Sequence, residues 1–387
     1  MKRCSLHVAS FALLLAGLGC GGGSAPKTTV PPVASCTPSS TPEFAYVLND
    51  GDNTVSMYTI DSCTGDLQPT TPATVATGGN QFGAEGLAVD PSGRFAYVAN
   101  LMSNASDLAN VAMFTIDSTT GVWAPTTPAT VPTGYFPQGI AIDPLGRFVY
   151  TANSDDNTVS MFTVNPSTGI LTPTTPAAVG AGWSPLSVTV DPSGKFVYAS
   201  NQDDDTVSMY TINSDTGILT PTTPATVQAG SSPFAVTVDP SGKFAYVPDA
   251  YSQPNNFVWQ YTVDSVTGVL TPNTPPAVSA GNSPTSVAVD PTSRFAYVVN
   301  RLDNTVSMFT IDSRTGNLTP NTPATIATGV QPFCIAIDPS GKFAYVTNQN
   351  SDSVSIYTVN GNGTLTASGT KAVASDPIWI SITGPKQ

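Results

Sequence analysis

One stretch of the chain, FVYASNQDDDTVSMYTINSDTGILTPTTPATVQAGSSPFAVTVDPSGK from Phe196 to Lys243, carries the pattern that decides the fold. Four of its segments, FVYAS, TVSMYTI, ATV and FAVTVD, are rich in β-branched and aromatic residues. An Asx-rich loop and the turn sequences S-x-T-G and DPSG separate them. This pattern predicts four short β-strands joined by tight turns.

The same unit recurs along the chain, and each copy opens on a phenylalanine. The copies start 48 to 53 residues apart, at Phe44, Phe95, Phe148, Phe196, Phe244, Phe295 and Phe343. A repeat of this length, with four short strands and no helix, is typical of a β-propeller blade. The sequence therefore predicts an all-β protein, a seven-bladed β-propeller with four antiparallel strands in each blade.

Two segments carry a family resemblance. FAYVTNQNSDSVSIYTVN and DPSGKFAYV closely resemble the seven-bladed β-propeller lactonases, best known for 6-phosphogluconolactonase activity, and also the YVTN repeats of surface proteins. The resemblance covers residues 44–383 and leaves 384–387 as a tail. It implies that P-x-x-V-x-V-D is the innermost strand of each blade. Because the chain ends on such a strand, DPIWISIT, we expect the C-terminal strand to complete the first blade and close the ring.

Composition narrows the range of partners. With 13 Lys and Arg against 26 Asp and Glu, the formal net charge is −13. Nucleic acid and anionic membrane surfaces require a basic patch, so we expect neither as a partner. No motif for a cofactor is present, and we expect a monomer that needs none.

The first twenty residues, MKRCSLHVASFALLLAGLGC, have a basic start, an apolar run and a terminal cysteine. They predict a signal peptide at residues 1–19 and, by resemblance to bacterial lipoproteins, a lipid-modified Cys20. The alternative is an ordinary cleaved signal with an incidental cysteine. Residues 20–43, rich in Gly, Ser and Pro, are expected to form a flexible tether. The predicted location is the cell envelope, periplasm or cell surface, with membrane contact only through the lipid.

The remaining cysteines have different expected roles. Cys36 precedes the first strand pair and Cys63 lies in the turn after it, so both belong at one edge of the same blade. A Cys36–Cys63 disulfide is one prediction and two unpaired thiols the other. Cys334 lies in the apolar run PFCIAID and is expected to be a small buried residue.

Strand order places the Asx loops and the connections between blades on one face, here called the top face. The residue after the recurrent proline should line the channel mouth, giving a ring of Glu85, Gln138, Leu186, Phe234, Thr285, Phe333 and Ile378. Residues of the ring and of the nearby loops form the predicted ligand surface for a carbohydrate, small molecule or protein. That surface comprises Glu85, Tyr135, Gln138, Trp183, Phe234, Asp249, Tyr251 and Arg301. The alternative is that its aromatics pack on neighbouring loops.

Three consecutive aspartates, Asp203 to Asp205, raise the question of a metal or catalytic cluster. Their loop recurs at 50–53, 154–157, 202–205, 301–304 and 349–352. Asn and Asp fold back on their own backbone and tolerate left-handed conformations, so the loop predicts a tight turn. The glutamate that completes an EF-hand is missing, and no metal site is predicted.

The residues leave three functions open. Lactone hydrolysis needs a base and donors for the developing oxyanion. His7, the sole histidine, lies within the predicted signal peptide, and no catalytic motif transfers from the family, so no catalytic residue is assigned. The first expectation is therefore a binding or scaffold module at the cell envelope. The alternatives are a lactonase acting on sugar lactones and a structural surface protein without a small ligand.

Overall fold

The computed structural model describes Cys36, Ser39 and residues 41–79, 83–101, 109–250 and 256–383. In these ranges 28 strands form seven four-stranded antiparallel sheets, which confirms the seven-bladed propeller. The predicted signal peptide, Cys20, the tail and most of the tether lie outside the described residues. No helix in the described ranges is long and apolar enough to cross a membrane.

Each blade runs from an innermost strand to an outermost one. The innermost strands are β4 (Ala84–Val89), β8 (Pro137–Ile142), β12 (Pro185–Val190), β16 (Thr237–Val238), β20 (Pro284–Val289), β24 (Pro332–Ile337) and β28 (Pro377–Thr383). The second strands are β1 (Glu43–Asn49), β5 (Phe95–Asn100), β9 (Phe148–Asn153), β13 (Phe196–Asn201), β17 (Phe244–Pro248), β21 (Phe295–Asn300) and β25 (Phe343–Asn348).

The two outer layers complete the blades. The third strands are β2 (Thr54–Ile60), β6 (Asn110–Ile116), β10 (Thr158–Val164), β14 (Thr206–Ile212), β18 (Phe257–Val263), β22 (Thr305–Ile311) and β26 (Ser353–Val359). The outermost are β3 (Leu67–Ala76), β7 (Trp123–Pro132), β11 (Leu171–Gly180), β15 (Leu219–Gln228), β19 (Leu270–Ser279), β23 (Leu318–Ala327) and β27 (Leu365–Ala372). A short 3-10 turn, Gln349–Ser351, follows β25.

The ring closes as the sequence predicted. Blade 1 consists of β28, β1, β2 and β3, so the last strand of the chain pairs with the first. The pairing is antiparallel and runs from Phe44 opposite Thr383 to Asn49 opposite Pro377. Blades 2 to 7 then follow in chain order from β4 to β27. Closure gives β1 a partner on both edges, β28 on one side and β2 on the other.

Buried tyrosines on the second strands form hydrogen bonds between neighbouring blades. The hydroxyl of Tyr46 donates to the Gly121 carbonyl of blade 2 at 3.1 Å, and that of Tyr345 donates to the Gly65 carbonyl at 2.9 Å. The second of these bonds joins blade 7 to blade 1. The hydroxyl of Tyr297 is buried and has no hydrogen-bond partner among the described residues. A hydrogen bond between blades thus recurs around the ring, with an exception in blade 6.

The loops between second and third strands, at 50–53, 154–157, 202–205, 301–304 and 349–352, are named latch loops here. In blade 4 the Asp204 carboxylate accepts from the Trp183 N–H at 2.6 Å, on the connection that enters the blade. Asp205, with φ of 58°, accepts from the Ser232 N–H at 2.8 Å, on the connection that leaves it. The turn predicted for the three aspartates is confirmed, and its carboxylates hold successive connections in place.

The cysteines divide into two kinds. Cys36 and Cys63 are each disulfide-bonded, as the predicted Cys36–Cys63 disulfide requires; their mutual pairing stays a prediction. Cys334 is a free and buried thiol, as expected from the apolar run around it.

Candidate functional site

A cavity of about 380 Å³ opens where the innermost strands meet around the ring axis. Residues from all seven blades line it, including Glu85 on β4, Gln138 on β8 and Trp379 on β28. Small-molecule sites are concave, mostly apolar and of roughly 300–1,000 Å³, with a few polar groups that fix orientation. The cavity therefore has the size and the setting of a ligand site.

The predicted ring at the mouth is correct in five blades and wrong in two. Glu85, Gln138, Leu186, Phe234 and Phe333 line the cavity. Thr285 is instead buried, because its hydroxyl donates to the Phe333 carbonyl at 2.7 Å. Ile378 packs into the apolar core between blades 1 and 2. Ser286 and Trp379, one residue further along their strands, take the lining positions.

Glu85 is the one charged side chain among the described residues that line the cavity. Burial, and to a smaller extent the negative charge of Asp50, raise its pKa to about 7. Asp50 is the first residue of the latch loop in blade 1, and the N–H of Ala84 donates to it. A side chain at Gly83 would overlap the Asp50 carboxylate, so the backbone just before Glu85 lies against that group. Near neutral pH the Glu85 carboxyl can therefore both accept and return a proton.

Arg301 begins the latch loop of blade 6 and lies beside the mouth without lining the cavity. Its guanidinium stacks on the ring of Phe333, 5.5 Å from the centroid. Nη2 donates to Oε1 of Gln349 at 2.7 Å, whereas the buried Nε has no partner within the described ranges. Glu85 and Arg301 both belong to the ligand surface predicted from the sequence. Of these two, Glu85 alone lines the cavity.

The remaining residues of the predicted ligand surface lie in different places, and two of them line the cavity. Gln138 and Phe234 line the cavity, and Phe234 meets Phe333 edge-to-face with ring centroids 5.5 Å apart. Tyr135 and Trp183 are 46% and 67% exposed and do not line the cavity. Asp249 is buried and accepts from the Ser231 N–H at 3.0 Å. Tyr251 lies outside the described residues.

Sequence reasoning missed several lining residues, among them the large side chains of Gln202 and Trp379. Gln202 follows the asparagine that ends β13, a position that varies between blades whereas the asparagine recurs in six of them. Trp379 stands two residues after a proline, where the other blades have Gly, Ala, Ser or Cys. Both positions could have been found in the same way, because the residue there differs from its counterparts in other blades.

Cys334 lines the cavity as well, from β24. Burial raises the pKa of its thiol, which keeps it in the neutral form. In the ranges described above, no group of three or more His, Cys, Asp or Glu side chains is arranged to hold a metal ion.

Comparisons with known proteins place the fold and the family. The family model described as a lactonase with a seven-bladed β-propeller matches residues 37–185 and 187–382. A candidate 6-phosphogluconolactonase from Bacteroides fragilis superposes with a TM-score of 0.74 and 21% identity, over 90% of this chain and 100% of that one. A periplasmic gluconolactonase from Pseudomonas aeruginosa superposes at 0.71 and 20% identity, over 89% and 99%. No curated protein sequence matches the chain.

Proposed function

The chain belongs to the seven-bladed β-propeller lactonase family, and from this premise we propose that it hydrolyses lactones in its central cavity. The observation that carries the proposal is Glu85, a carboxyl with a pKa of about 7 in a closed ring of otherwise uncharged lining residues. The family match and the cavity support this function better than the binding or scaffold module first expected from the sequence.

The proposed reaction is general-base hydrolysis. Glu85 takes a proton from a water molecule as the water oxygen bonds to the lactone carbonyl carbon. The side-chain amides of Gln138 and Gln202 reach the cavity and can donate hydrogen bonds to the oxyanion that forms. The ring C–O bond then breaks and the leaving alkoxide takes the proton back from Glu85. The product is a hydroxy acid, which ionises near neutral pH.

The lack of a histidine after the predicted signal peptide does not weigh against this chemistry. A base that works near pH 7 is ordinarily an imidazole because an exposed carboxyl has its pKa near 4. Burial raises the pKa of the Glu85 carboxyl into the range that is usual for an imidazole. Carboxyls with a pKa raised in this way serve as the catalytic acid or base in several classes of enzyme.

The test is an assay of the full-length protein with glucono-δ-lactone, 6-phosphoglucono-δ-lactone and δ-valerolactone, corrected for spontaneous hydrolysis. We expect kcat/KM to rise with pH through about 7, since the ionised form of Glu85 is the base. Glu85→Gln should lower kcat/KM by about 10²- to 10⁴-fold. Asp303→Asn, a change in the latch loop of blade 6, none of whose residues lines the cavity, is the matched control. Unchanged turnover in Glu85→Gln would overturn the mechanism.

We further propose that the protein is exported and anchored through a lipid on Cys20. The basic start and apolar run before Cys20 support this, and one fold relative is a periplasmic gluconolactonase. The test compares wild type with Cys20→Ala for incorporation of a clickable palmitate analogue and for partition into membranes. Equal membrane partition of the two proteins would reject the anchor.

A further inference from the structure

We propose that the lactone taken by the cavity is uncharged and carries an aliphatic arm, an inference that rests on the hydrolysis proposed above and names its substrate class. Two independent features of the lining support it. One is an apolar wall opposite the few polar groups, and the other is the position of the cations.

The apolar wall consists of large apolar side chains that line the cavity from blades 4, 5, 7 and 1. Phe234 and Phe333 form an edge-to-face pair on blades 5 and 7, and Leu186 lines the cavity from blade 4. The longer polar side chains, Glu85, Gln138 and Gln202, come from blades 2, 3 and 4. Blades 4 to 6 add only the short hydroxyl side chains of Ser187, Thr189, Thr237 and Ser286. A ligand in this cavity therefore meets the base with one end and carbon surfaces with the other.

Blade 1 contributes Trp379 to this wall, at a position where the other blades have small side chains. Two residues after the recurrent proline or its equivalent Ala84, the innermost strands of blades 2 to 7 have only small side chains. These are Gly86, Gly139, Ser187, Ala235, Ser286 and Cys334. Blade 1 has an indole at this position, and it lines the cavity. Six small side chains around the axis leave room for one large aromatic surface, on which an aliphatic arm gains by burial.

The charges argue against an anionic substrate. No cation lines the cavity in the described ranges, and the Arg301 guanidinium lies on Phe333, hydrogen-bonded to Gln349. A phosphate in the cavity would lose its hydration without gaining a cationic partner. It would also meet the carboxyl of Glu85, which repels it when ionised. A neutral arm avoids both costs.

The experiment compares lactones that share a ring and differ in the arm. The full-length protein is assayed with δ-valerolactone, which has no arm, δ-decalactone, which has a five-carbon arm, and 6-phosphoglucono-δ-lactone. Each buried methylene is worth about fourfold in kcat/KM. We expect δ-decalactone to exceed δ-valerolactone by about tenfold or more and to exceed the phosphorylated lactone.

Variants and a binding probe separate the two proposals. Leu186→Asn and Trp379→Ala should each reduce the preference for the arm by about fivefold or more, and two variants on different blades guard against one that fails to fold. Leu302→Ala, an exposed apolar residue of the top face that does not line the cavity, is the control. The probe is 6-pentylpiperidin-2-one, a lactam with the same arm that resists hydrolysis, with binding followed by calorimetry.

The outcomes are distinct. Lactones hydrolysed without preference for the arm, or with the phosphorylated one preferred, would overturn this inference and leave the hydrolysis standing. Lactam binding that is lost in Leu186→Asn, with no lactone hydrolysed, would overturn the hydrolysis and support the apolar subsite. Neither binding nor turnover would overturn both.

Discussion

The latch loops and the cavity mouth are built from the same repeat and lie on neighbouring parts of each blade, yet they differ in what the repeat preserves. In the latch loops the Asx positions recur, and hydrogen bonds explain several of them, such as the bond that the Trp183 N–H donates to the Asp204 carboxylate. At the mouth the corresponding positions change from blade to blade. Glu85 in blade 2 stands where blade 4 has Leu186 and blade 7 has Phe333.

The difference separates residues that build the ring from residues that define its site. A hydrogen bond needed once in every blade demands the same side chain in every blade. A ligand on the ring axis is not sevenfold symmetric, so its contacts require different side chains in different blades. Departures from the repeat are therefore where chemistry is to be sought, and the predictions below test whether that division holds.

The largest expected effect on stability is at the mouth. Glu85 has a pKa of about 7 in the folded protein against 4.5 for the ordinary carboxyl, so the folded state holds the proton more tightly. The free energy of unfolding then falls as pH rises from about 4.5 to about 7. Glu85→Gln removes this loss. The free energy of unfolding of this variant, measured by urea denaturation, should exceed that of the wild type by about 2–3 kcal/mol at pH 8. The difference should vanish below about pH 4.5.

An equal difference between the two proteins at both pH values would contradict this expectation. It would mean that burial does not raise the pKa of the Glu85 carboxyl. The mouth would then be as purely structural as the latch loops.

A latch loop should respond in the opposite way. Asp205→Ala removes the acceptor for the Ser232 N–H and puts alanine at a φ of 58°. The lost hydrogen bond and the left-handed conformation each cost about 1 kcal/mol, so we expect a loss of about 2 kcal/mol in unfolding free energy. Asp205→Asn keeps both the acceptor and the tolerance for this φ and should be nearly neutral. Loss of lactone turnover in folded Asp205→Ala would contradict the division between structural latch loops and a functional mouth.

How far the sequence alone predicts this molecule follows from the same division. The blades, their phase and the closing strand are predictable because they depend on local strand and turn patterns repeated seven times. Thr285 and Ile378 could not be placed, because one side-chain hydrogen bond and one packing choice decide which of two adjacent residues faces the axis. The sequence predicts Glu85 at the mouth, but its raised pKa could not be predicted, for another reason. Its proton affinity depends on burial and on Asp50, which is 35 residues away in the chain.

The tyrosines between blades offer a smaller, internally controlled test. Tyr345→Phe removes the hydrogen bond to the Gly65 carbonyl that joins blade 7 to blade 1, and should cost about 1 kcal/mol of unfolding free energy. Tyr297→Phe removes a buried hydroxyl that has no partner in the described ranges. This variant should be neutral or slightly more stable, because an unsatisfied polar group is removed. Equal losses in thermal denaturation would contradict the assignment of Tyr345 as a contact between blades.

The finest test is Asp50, where the two regions meet, since this residue begins a latch loop and its charge acts on Glu85. Asp50→Asn keeps an oxygen to accept from the Ala84 N–H and removes the charge, so it should lower the pKa of Glu85 from about 7. The chain has two glutamates, Glu43 and Glu85, so ¹³Cδ-glutamate labelling gives two carboxyl signals, and Glu85→Gln identifies one of them. A lower midpoint for that signal in Asp50→Asn would assign this latch residue a second role at the mouth. An unchanged midpoint would leave burial as the sole cause and would return Asp50 to the structural class of the other loops.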